Sequence, residues 1–371
     1  MKIAHLLTTN SPVTTSYGGA VERIVLSLSY EQAKKGHVVH IFSANDQVNG
    51  LFRPNLWIHN IPIYLPRPFS DIEYLFKVRQ KMHDLQPSVI HSHSSPFAAL
   101  LLGDGAAPHV GSFNFFRFKG SKGNFGRRIY KYLLSKFDLL TSITQFAAAG
   151  ISEYFSLEEI PRILHCGVDL SFFNPDAKQI EFSSVQSFES STTFILFVGR
   201  VNHQKGAHLL PIIAKELKRF KINTVAVGPI NQFHKVSELN VDKFILGEDV
   251  IYLGNVEQSQ LATLMARASV LIVPTLRDEM FGMVIPEAGA CGTPAVASDI
   301  DGIPEVIGTG GCLIPVGDTQ AFLDVILDLV TNPLKLENMS KNALKNAERF
   351  SWSNICAKSL VYYQAANKKN I

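Results

Sequence analysis

The chain alternates strand-like and helix-like patterns in two separate stretches, and this alternation constrains its fold more than any other feature. In the first half, short apolar runs lie at residues 2–7, 38–43, 88–93 and 110–113, with helical patterns among them. In the second half, apolar runs lie at residues 194–199, 224–228, 250–254 and 270–274, again with helical patterns among them. Such alternation predicts parallel sheets with helices on both faces, whose ligands bind beyond the carboxyl ends of the strands.

A polar, Ser-rich segment without periodicity, residues 173–192, separates the two stretches and predicts an interdomain linker. The chain has 371 residues, of which 46% are hydrophobic and 18% charged, as expected for a globular protein of about two or three domains. The sequence therefore predicts an α/β protein with two doubly wound, Rossmann-like domains.

Cysteine usage and hydropathy predict the cellular location of the protein. No apolar run approaches the roughly 18 residues that a membrane span needs. The first apolar run is too short for a signal peptide and fits a first strand better. The four cysteines form no CxxC pair, which favours reduced thiols. A cytoplasmic protein is the expectation, with membrane-peripheral association left open.

The segment Asp278–Glu305 carries two carboxylates, Glu279 and Glu287, eight residues apart. The apolar run Ser269–Thr275 before it predicts a buried parallel strand, and the residues after it recur with helical spacing. A helix starting near Gly282 would leave Glu279 in the preceding loop and put Glu287 on its second turn. This arrangement can direct backbone N–H groups at a phosphate. On spacing alone, an ordinary strand–helix unit with Glu279 as a cap and Glu287 on a solvated face fits as well.

The same segment closely resembles the E-x7-E signature of the retaining glycosyltransferases of family 4, which have the GT-B fold. The matching positions are Glu279, Phe281-Gly282, Pro286-Glu287-Ala288, Gly292-Thr293-Pro294 and Gly302-Ile303-Pro304-Glu305. Further landmarks of the family follow in order at Gly18-Gly19 with Glu22-Arg23, His91 and His93, Gly167-Val168-Asp169, Arg200 with Lys205-Gly206, and Phe350-Ser351-Trp352. Many matched positions in order are a far stronger signal than a lone glycine motif.

The resemblance implies a domain organisation and an activity. Residues 1–172 would form an acceptor-side domain and residues 193–352 a donor-binding domain, facing each other across a cleft, with the helix 353–371 packing back on the first. The implied enzyme is a hexosyltransferase that moves a sugar from a nucleotide diphosphate sugar to a hydroxyl acceptor with retention of configuration. The implied acceptor is a glycan or lipid-linked glycan of the cell-surface polysaccharide or lipopolysaccharide type.

The resemblance also assigns roles to individual residues. Arg200 and Lys205 would hold the donor diphosphate, because fixed cations can stabilise this leaving group without a metal. Glu279 would bind the hydroxyls of the donor sugar, and Glu287 the ribose. The remaining donor contacts would come from the backbone of Phe281, Gly282 and Met283, and from Gly18 and Gly19 in the first domain, where glycine permits close approach to the phosphates.

Asn114 is the main departure from the family pattern, which commonly has a histidine that projects toward the reacting centre. An amide can hydrogen-bond a sugar hydroxyl but cannot titrate near neutral pH. Retaining transfer of this kind is thought to use the leaving phosphate as its base, so activity is still expected. The alternatives are a non-catalytic nucleotide-sugar-binding or scaffold subunit, and another GT-B activity such as a sugar-nucleotide epimerase.

Two groups of residues suggest a metal at first sight. Asp299-Ile300-Asp301 forms a D-x-D pattern, but it lies where the family has a loop, so a turn is the better interpretation. His91 and His93 have no third ligand beside them in the sequence. Neither a metal nor another cofactor is predicted.

The segment Phe115–Lys131 mixes aromatic residues with six basic ones. It could contact lipid headgroups, hold a phosphorylated acceptor, or be an ordinary surface loop. Nothing else in the sequence supports nucleic acid as a partner. A peripheral membrane contact through this segment and an ordinary surface loop beside the cleft both stay open.

Overall fold

The computed structural model describes residues 1–8, 13, 20–66, 69–102, 107–113, 124–179, 193–230 and 246–368. The chain divides into two compact units. The first comprises Met1–Gly167 and Trp352–Ile371, and the second comprises Val168–Ser351. Among the described residues, no helix combines the length and the apolar character that crossing a bilayer requires.

The first unit is built on an eight-stranded sheet with the order β3-β4-β2-β1-β5-β6-β7-β8. All neighbouring strands pair in parallel except β3, which is antiparallel to β4. The strands are β1 (Lys2–Leu6), β2 (Val38–Ala44), β3 (Gly50–Arg53), β4 (Leu56–Ile61), β5 (Val89–His93), β6 (His109–Ser112), β7 (Leu139–Ser142) and β8 (Arg162–Ile163). The helices along this unit are α1 (Ala20–Lys34), α2 (Phe69–Leu85), α3 (Ala98–Leu102), α4 (Asn124–Leu134) and α5 (Gln145–Phe155).

The strand order determines which face of this sheet each helix covers. The chain passes from β1 to β2 in one direction along the sheet, and from β4 through β8 in the other. Because parallel crossovers are right-handed, α1 lies on one face and α2, α3, α4 and α5 lie on the opposite face. Buried residues of α2 accordingly pack on the sheet side away from α1.

The second unit is built on a six-stranded parallel sheet with the order β11-β10-β9-β12-β13-β14. Its strands are β9 (Phe194–Val198), β10 (Asn223–Val227), β11 (Val250–Tyr252), β12 (Val270–Val273), β13 (Ala295–Ser298) and β14 (Gly311–Ile314). Its helices are α6 (Leu210–Lys218), α7 (Gln258–Arg267), α8 (Val284–Ala290), α9 (Ile303–Ile307), α10 (Thr319–Thr331) and α11 (Pro333–Glu348), with short 3-10 helices at Pro175–Gln179 and Ala207–Leu209.

The last helix, α12 (Trp352–Lys368), belongs to the first unit and packs against α1. The side-chain amide of Gln32 on α1 donates to Ser359 Oγ at 3.2 Å and to the Tyr363 hydroxyl at 3.1 Å. These polar contacts are buried, so they fix how α12 sits on α1 as well as stabilising it.

The sequence missed the hairpin of β3 and β4, since it assigned nothing to residues 51–68. Both strands are short and partly exposed, which leaves no continuous apolar run to recognise. In the predicted linker, residues 175–179 form a 3-10 helix that packs against α7, where the Arg267 guanidinium donates to the Lys178 carbonyl at 2.9 and 3.1 Å. Residues 180–192 of that segment lie outside the described residues.

Candidate functional site

An ion pair between Lys205 and Glu279 is the centre of the candidate site. Lys205 Nζ donates to Glu279 Oε2, and the two side chains are only 20% and 14% exposed. The residues lie 74 positions apart in the chain and meet at the carboxyl edge of the second sheet. Because both charges are shielded from water, this pair is held more firmly than one on an open surface.

The loop after β9 places Lys205 through two local devices. The Asn202 side-chain oxygen accepts a hydrogen bond from the Lys205 backbone N–H at 2.9 Å. Gly206 has a φ of +72°, and a Cβ at this position would lie 1.9 Å from the carbonyl oxygen of Pro274, just after β12. Only glycine fits there, so the loop lies directly against the end of a neighbouring strand.

Asp301 and Gly302 hold the backbone of Glu279 from both sides. Asp301 Oδ2 accepts a hydrogen bond from the Glu279 N–H at 3.0 Å, and the Gly302 N–H donates to the Glu279 carbonyl at 3.0 Å. Asp301 has a φ of +52°, as expected in a tight turn. The family resemblance indicated a turn here but not which backbone the turn contacts, so this positioning role was missed.

The backbone N–H groups of Gly282, Met283 and Val284 donate no hydrogen bond to any residue in the part of the chain that the structure describes. Gly282 has a φ of +77°, and a Cβ there would lie 3.6 Å from Glu279 Cγ. The Phe281 side chain anchors this turn, since it is buried edge-on against Phe350 with ring centroids 5.5 Å apart. Successive open N–H groups in such a turn form an anion-binding nest.

The left-handed backbone at Gly282 also corrects one prediction. A residue at positive φ cannot continue a right-handed helix, so α8 begins at Val284 rather than near Gly282. Glu287 consequently lies on the first turn of α8 and not on its second. Its carboxylate lies close to Cys291, whose pKa is raised to about 12 by burial and further by the negative charge of Glu287.

Arg200 follows β9 directly and is exposed. No described residue accepts a hydrogen bond from its guanidinium. The structure therefore brings Lys205 and Glu279 into contact and leaves Arg200 at the same strand end without a protein partner among the residues described.

A row of glycines at three adjacent strand ends is a feature that the sequence analysis missed. Gly199, Gly228 and Gly254 follow β9, β10 and β11. Their backbones are in contact, since the Gly228 N–H donates to the Gly254 carbonyl at 2.8 Å. A Cβ at Gly228 would lie 2.1 Å from the Gly199 carbonyl oxygen. The repeated Val-Gly, Val-Gly, Leu-Gly endings were the available signal. The result is a strand edge without side chains, which a ligand can approach closely.

In the first unit the structure corrects the view that His91 and His93 have no third ligand beside them. His5 on β1 joins them, and one ring nitrogen from each of the three buried histidines lies within 4.8 Å of the other two. His5 uses one ring nitrogen with His93 at 3.0 Å and the other with the Gln32 side-chain oxygen at 2.8 Å. His91 uses its two nitrogens with the Tyr363 hydroxyl at 2.8 Å and Ser112 Oγ at 2.6 Å. A metal ion would have to displace these bonds, so the cluster fits a hydrogen-bonded network better.

Burial keeps these histidines neutral. It lowers the pKa of His5 to about 4 and the pKa values of His91 and His93 well below the usual 6.5. One set of neutral tautomers satisfies the whole chain of hydrogen bonds from His93 through His5 and Gln32 to Tyr363 and His91.

Several predicted site residues lie outside the described residues, namely Gly18, Gly19, Asn114 and residues 115–123 of the basic aromatic segment. The rest of that segment, residues 124–131, forms most of α4.

Two family models match consecutive parts of the chain. A family model described as "Glycosyltransferase Family 4" matches residues 17–172, and one described as "Glycosyl transferases group 1" matches residues 178–346. A D-inositol 3-phosphate glycosyltransferase of Catenulispora acidiphila is 29% identical over 242 residues, which covers 62% of this chain and 57% of the relative. The chain thus spans little more than half the length of this curated relative.

Solved structures resemble the whole chain. Sucrose-phosphate synthase from Thermosynechococcus elongatus superposes with a TM-score of 0.79 at 21% identity, over 100% of both chains. Anabaena Alr3699/HepE, in a structure described as a complex with UDP and glucose, superposes with a TM-score of 0.76 at 20% identity, over 98% of this chain and 99% of that one. The two family models, which together span most of the chain, and the two parallel-sheet units lead to one conclusion: this chain belongs to the glycosyltransferases of family 4 and has the GT-B fold.

Proposed function

We propose that the protein is a retaining hexosyltransferase, which moves a sugar from a nucleotide diphosphate sugar to a hydroxyl of a glycan or lipid-linked glycan. The observation that carries this proposal is the shielded Lys205–Glu279 pair, together with the open N–H groups of Gly282, Met283 and Val284 a few residues along the chain from Glu279. A cation, a row of N–H donors and a carboxylate are the groups that a sugar diphosphate requires, since it joins an anion to several hydroxyls.

The chemistry follows from what each group can stabilise. As the bond between the sugar and the diphosphate lengthens, negative charge grows on the leaving phosphate, and Lys205 and the N–H nest offset it. An ammonium has three N–H donors, so Lys205 can contact a phosphate while it still holds Glu279. Glu279 is then oriented to accept hydrogen bonds from the sugar hydroxyls, and its contacts strengthen as the transferred sugar becomes positively charged.

The other assigned residues complete the donor site in this proposal. Arg200 supplies a second cation for the diphosphate, and Glu287 binds the ribose. Gly18, Gly19 and Asn114 keep the roles that the family resemblance gives them, at the phosphates and at the donor sugar. Residues 193–352 would bind the donor and residues 1–172 the acceptor. A UDP-sugar is the first donor to try, because the structural neighbour from Anabaena is described with UDP and glucose.

The proposal includes transfer without a metal ion. Lys205 and the N–H groups already offset charge on the leaving group, and the Asp301 carboxylate is engaged with the Glu279 backbone. This leaves the D-x-D pattern a structural role in the turn.

A test of the proposal incubates the protein with UDP-, GDP- and ADP-sugars, first following thermal stabilisation and then donor hydrolysis and transfer. Product configuration is read by NMR with the best donor. Stabilisation by one sugar nucleotide, followed by a product that keeps the anomeric configuration, supports the proposal. An inverted product contradicts the retaining mechanism.

The scaffold alternative comes from Asn114 and has its own outcome. If the protein binds the donor but neither hydrolyses nor transfers it with any acceptor, and Asn114→His alone restores turnover, the chain is a binding subunit. Interconversion of free sugar nucleotides without transfer would instead support an epimerase.

A further inference from the structure

Helix α2 exposes a stripe of large apolar side chains. Phe69, Ile72 and Phe76 follow the i, i+3, i+7 spacing of one helix face and are 57–58% exposed. The opposite face of the helix already packs Tyr74 and Val78 into the core. Helix α2 is thus apolar on two sides, although a surface helix needs only one apolar side to join its domain.

Helix α4 exposes a second stripe, which also carries positive charge. Phe125, Ile129 and Tyr132 lie on one face, with Arg128 between them at i+3, and Phe125 is 78% exposed. The chain between Asp104 and Asp138 contains seven Lys and Arg residues and no acidic residue. The exposed apolar surface of α4 is therefore part of a strongly basic segment.

The two stripes belong to the same side of the first unit. Helix α3 contacts both α2 and α4, and Phe97 and Leu100 at α3 are exposed as well. We refer to this surface as the α2–α4 face. It consists of the exposed side chains of Phe69, Ile72, Phe76, Phe97, Leu100, Phe125, Arg128, Ile129 and Tyr132.

We infer that the α2–α4 face docks on an anionic lipid bilayer. Aromatic and aliphatic side chains on adjacent helices can enter the boundary between headgroups and acyl chains, while the exposed Arg128 contacts anionic headgroups. Each basic residue near such a surface adds to the attraction. Nucleic acid would also be attracted by the charge, and its bases can stack on aromatic rings, but it offers no apolar phase for the exposed aliphatic side chains of Ile72, Leu100 and Ile129. The inference extends the contact proposed for residues 115–131 to helices that the sequence did not connect with a membrane.

A polar pocket adjoins this face and indicates what docking is for. Its volume is about 200 Å³, and it lies at the carboxyl ends of β1 and β5. Hydroxyl, carboxylate and aromatic side chains line it, among them Thr8, Asp71, Ser94, Ser95, Phe97 and Tyr130. Phe97 belongs to both the pocket and the α2–α4 face, so docking holds the pocket near the headgroups. On the proposed function, which this step requires, the pocket takes the hydroxyl-bearing head of a lipid-linked acceptor.

The test is co-sedimentation of the 371-residue chain with vesicles of phosphatidylcholine alone or with 30 mole-percent phosphatidylglycerol. Binding is expected at least tenfold tighter on the anionic vesicles and should weaken as salt screens the charges. The double variant Phe125→Ser/Ile129→Ser should bind the anionic vesicles at least tenfold more weakly. Val361→Ser is the matched control, because Val361 is 58% exposed on α12, which packs on α1 on the opposite face of the same sheet.

Three results would overturn the inference. The first is that the unaltered protein binds neither kind of vesicle, or binds both equally. The second is that the double variant binds anionic vesicles as tightly as Val361→Ser does. The third is that the double variant converts a dimer to a monomer. The last would mean that a second copy of the chain covers the face.

UDP affinity is measured on the same preparations. Vesicle binding without nucleotide binding would contradict the proposed function alone, and nucleotide binding without vesicle binding would contradict the docking surface alone.

Discussion

Mild acid should destabilise the first unit selectively, through its buried histidines. His5, His91, His93 and His109 all lie buried in this unit, and burial lowers the pKa of His5 to about 4 and that of His109 to about 3. In the unfolded chain the same groups titrate near pH 6.5. Between roughly pH 4 and 6.5 the unfolded state therefore binds protons that the folded state does not bind, so the free energy of unfolding falls as the pH falls.

The magnitude follows from these pKa values. At pH 5 a histidine with an unfolded pKa of 6.5 is almost fully protonated when unfolded, which favours unfolding by about 2 kcal/mol per group. Because pH 5 lies above the folded pKa of both His5 and His109, each contributes nearly this full amount. Together they remove about 4 kcal/mol between pH 7 and pH 5, a large part of the 5–15 kcal/mol typical of a domain.

Tryptophan fluorescence can follow this unit alone. The chain has two tryptophans, Trp57 and Trp352, and both belong to the first unit. We expect the urea midpoint detected by fluorescence to fall steeply from pH 7 to pH 5. His109→Gln should reduce the slope of the unfolding free energy against pH by the equivalent of about one proton. His83→Gln, at an 87% exposed side chain, should leave this slope unchanged. A midpoint that does not move with pH, or a His109→Gln variant with the slope of the unaltered protein, would refute the reasoning.

The remaining predictions concern the second unit and the transfer step. Gly206→Ala should force the Lys205 loop away from Pro274 and destabilise this unit by about 1–3 kcal/mol, which calorimetry would detect as a lower transition temperature. Asp301→Ala should reduce kcat while UDP affinity stays within about twofold, because the contact of Asp301 with the Glu279 backbone orients the sugar-binding carboxylate; equal loss of both would contradict that role. Transfer in excess EDTA should match transfer with Mg²⁺ or Mn²⁺, and a strict metal requirement would return Asp299 and Asp301 to consideration as ligands. Asn114→Ala should lower turnover modestly in steady-state kinetics, with nucleotide affinity unchanged; a change in affinity would place Asn114 elsewhere.

The fold class and the family were predictable from sequence because they depend on patterns that are visible in the sequence itself. Alternating apolar runs predict two parallel sheets, and the ordered motifs around Glu279 predict the family; both predictions are confirmed. The carboxyl edge of a parallel sheet gathers the ends of strands that are distant in sequence. This is why the loops of Lys205 and Glu279 could be expected near each other.

The finer geometry was not predictable, because it depends on tertiary contacts between residues with no sequence relation. Nothing near Glu279 indicates that Asp301 accepts a hydrogen bond from its backbone. The sequence put the start of α8 near Gly282, since periodicity does not report the left-handed backbone that delays the helix to Val284. His5 joined His91 and His93 only because β1 pairs with β5 in the folded sheet.

The most direct test of the account is the affinity for nucleoside diphosphate, measured by calorimetry with UDP or whichever base the donor screen selects. Lys205→Ala removes one of the two cations proposed for the site, and a charge-assisted contact of this kind contributes about 1.5–3 kcal/mol. Affinity should therefore fall at least tenfold in this variant. It should not change in Lys218→Ala, whose ammonium pairs with Asp249 on the surface of the same unit at 2.5 Å. A Lys205→Ala protein that is folded and binds the nucleotide as tightly as the unaltered protein would contradict the central claim.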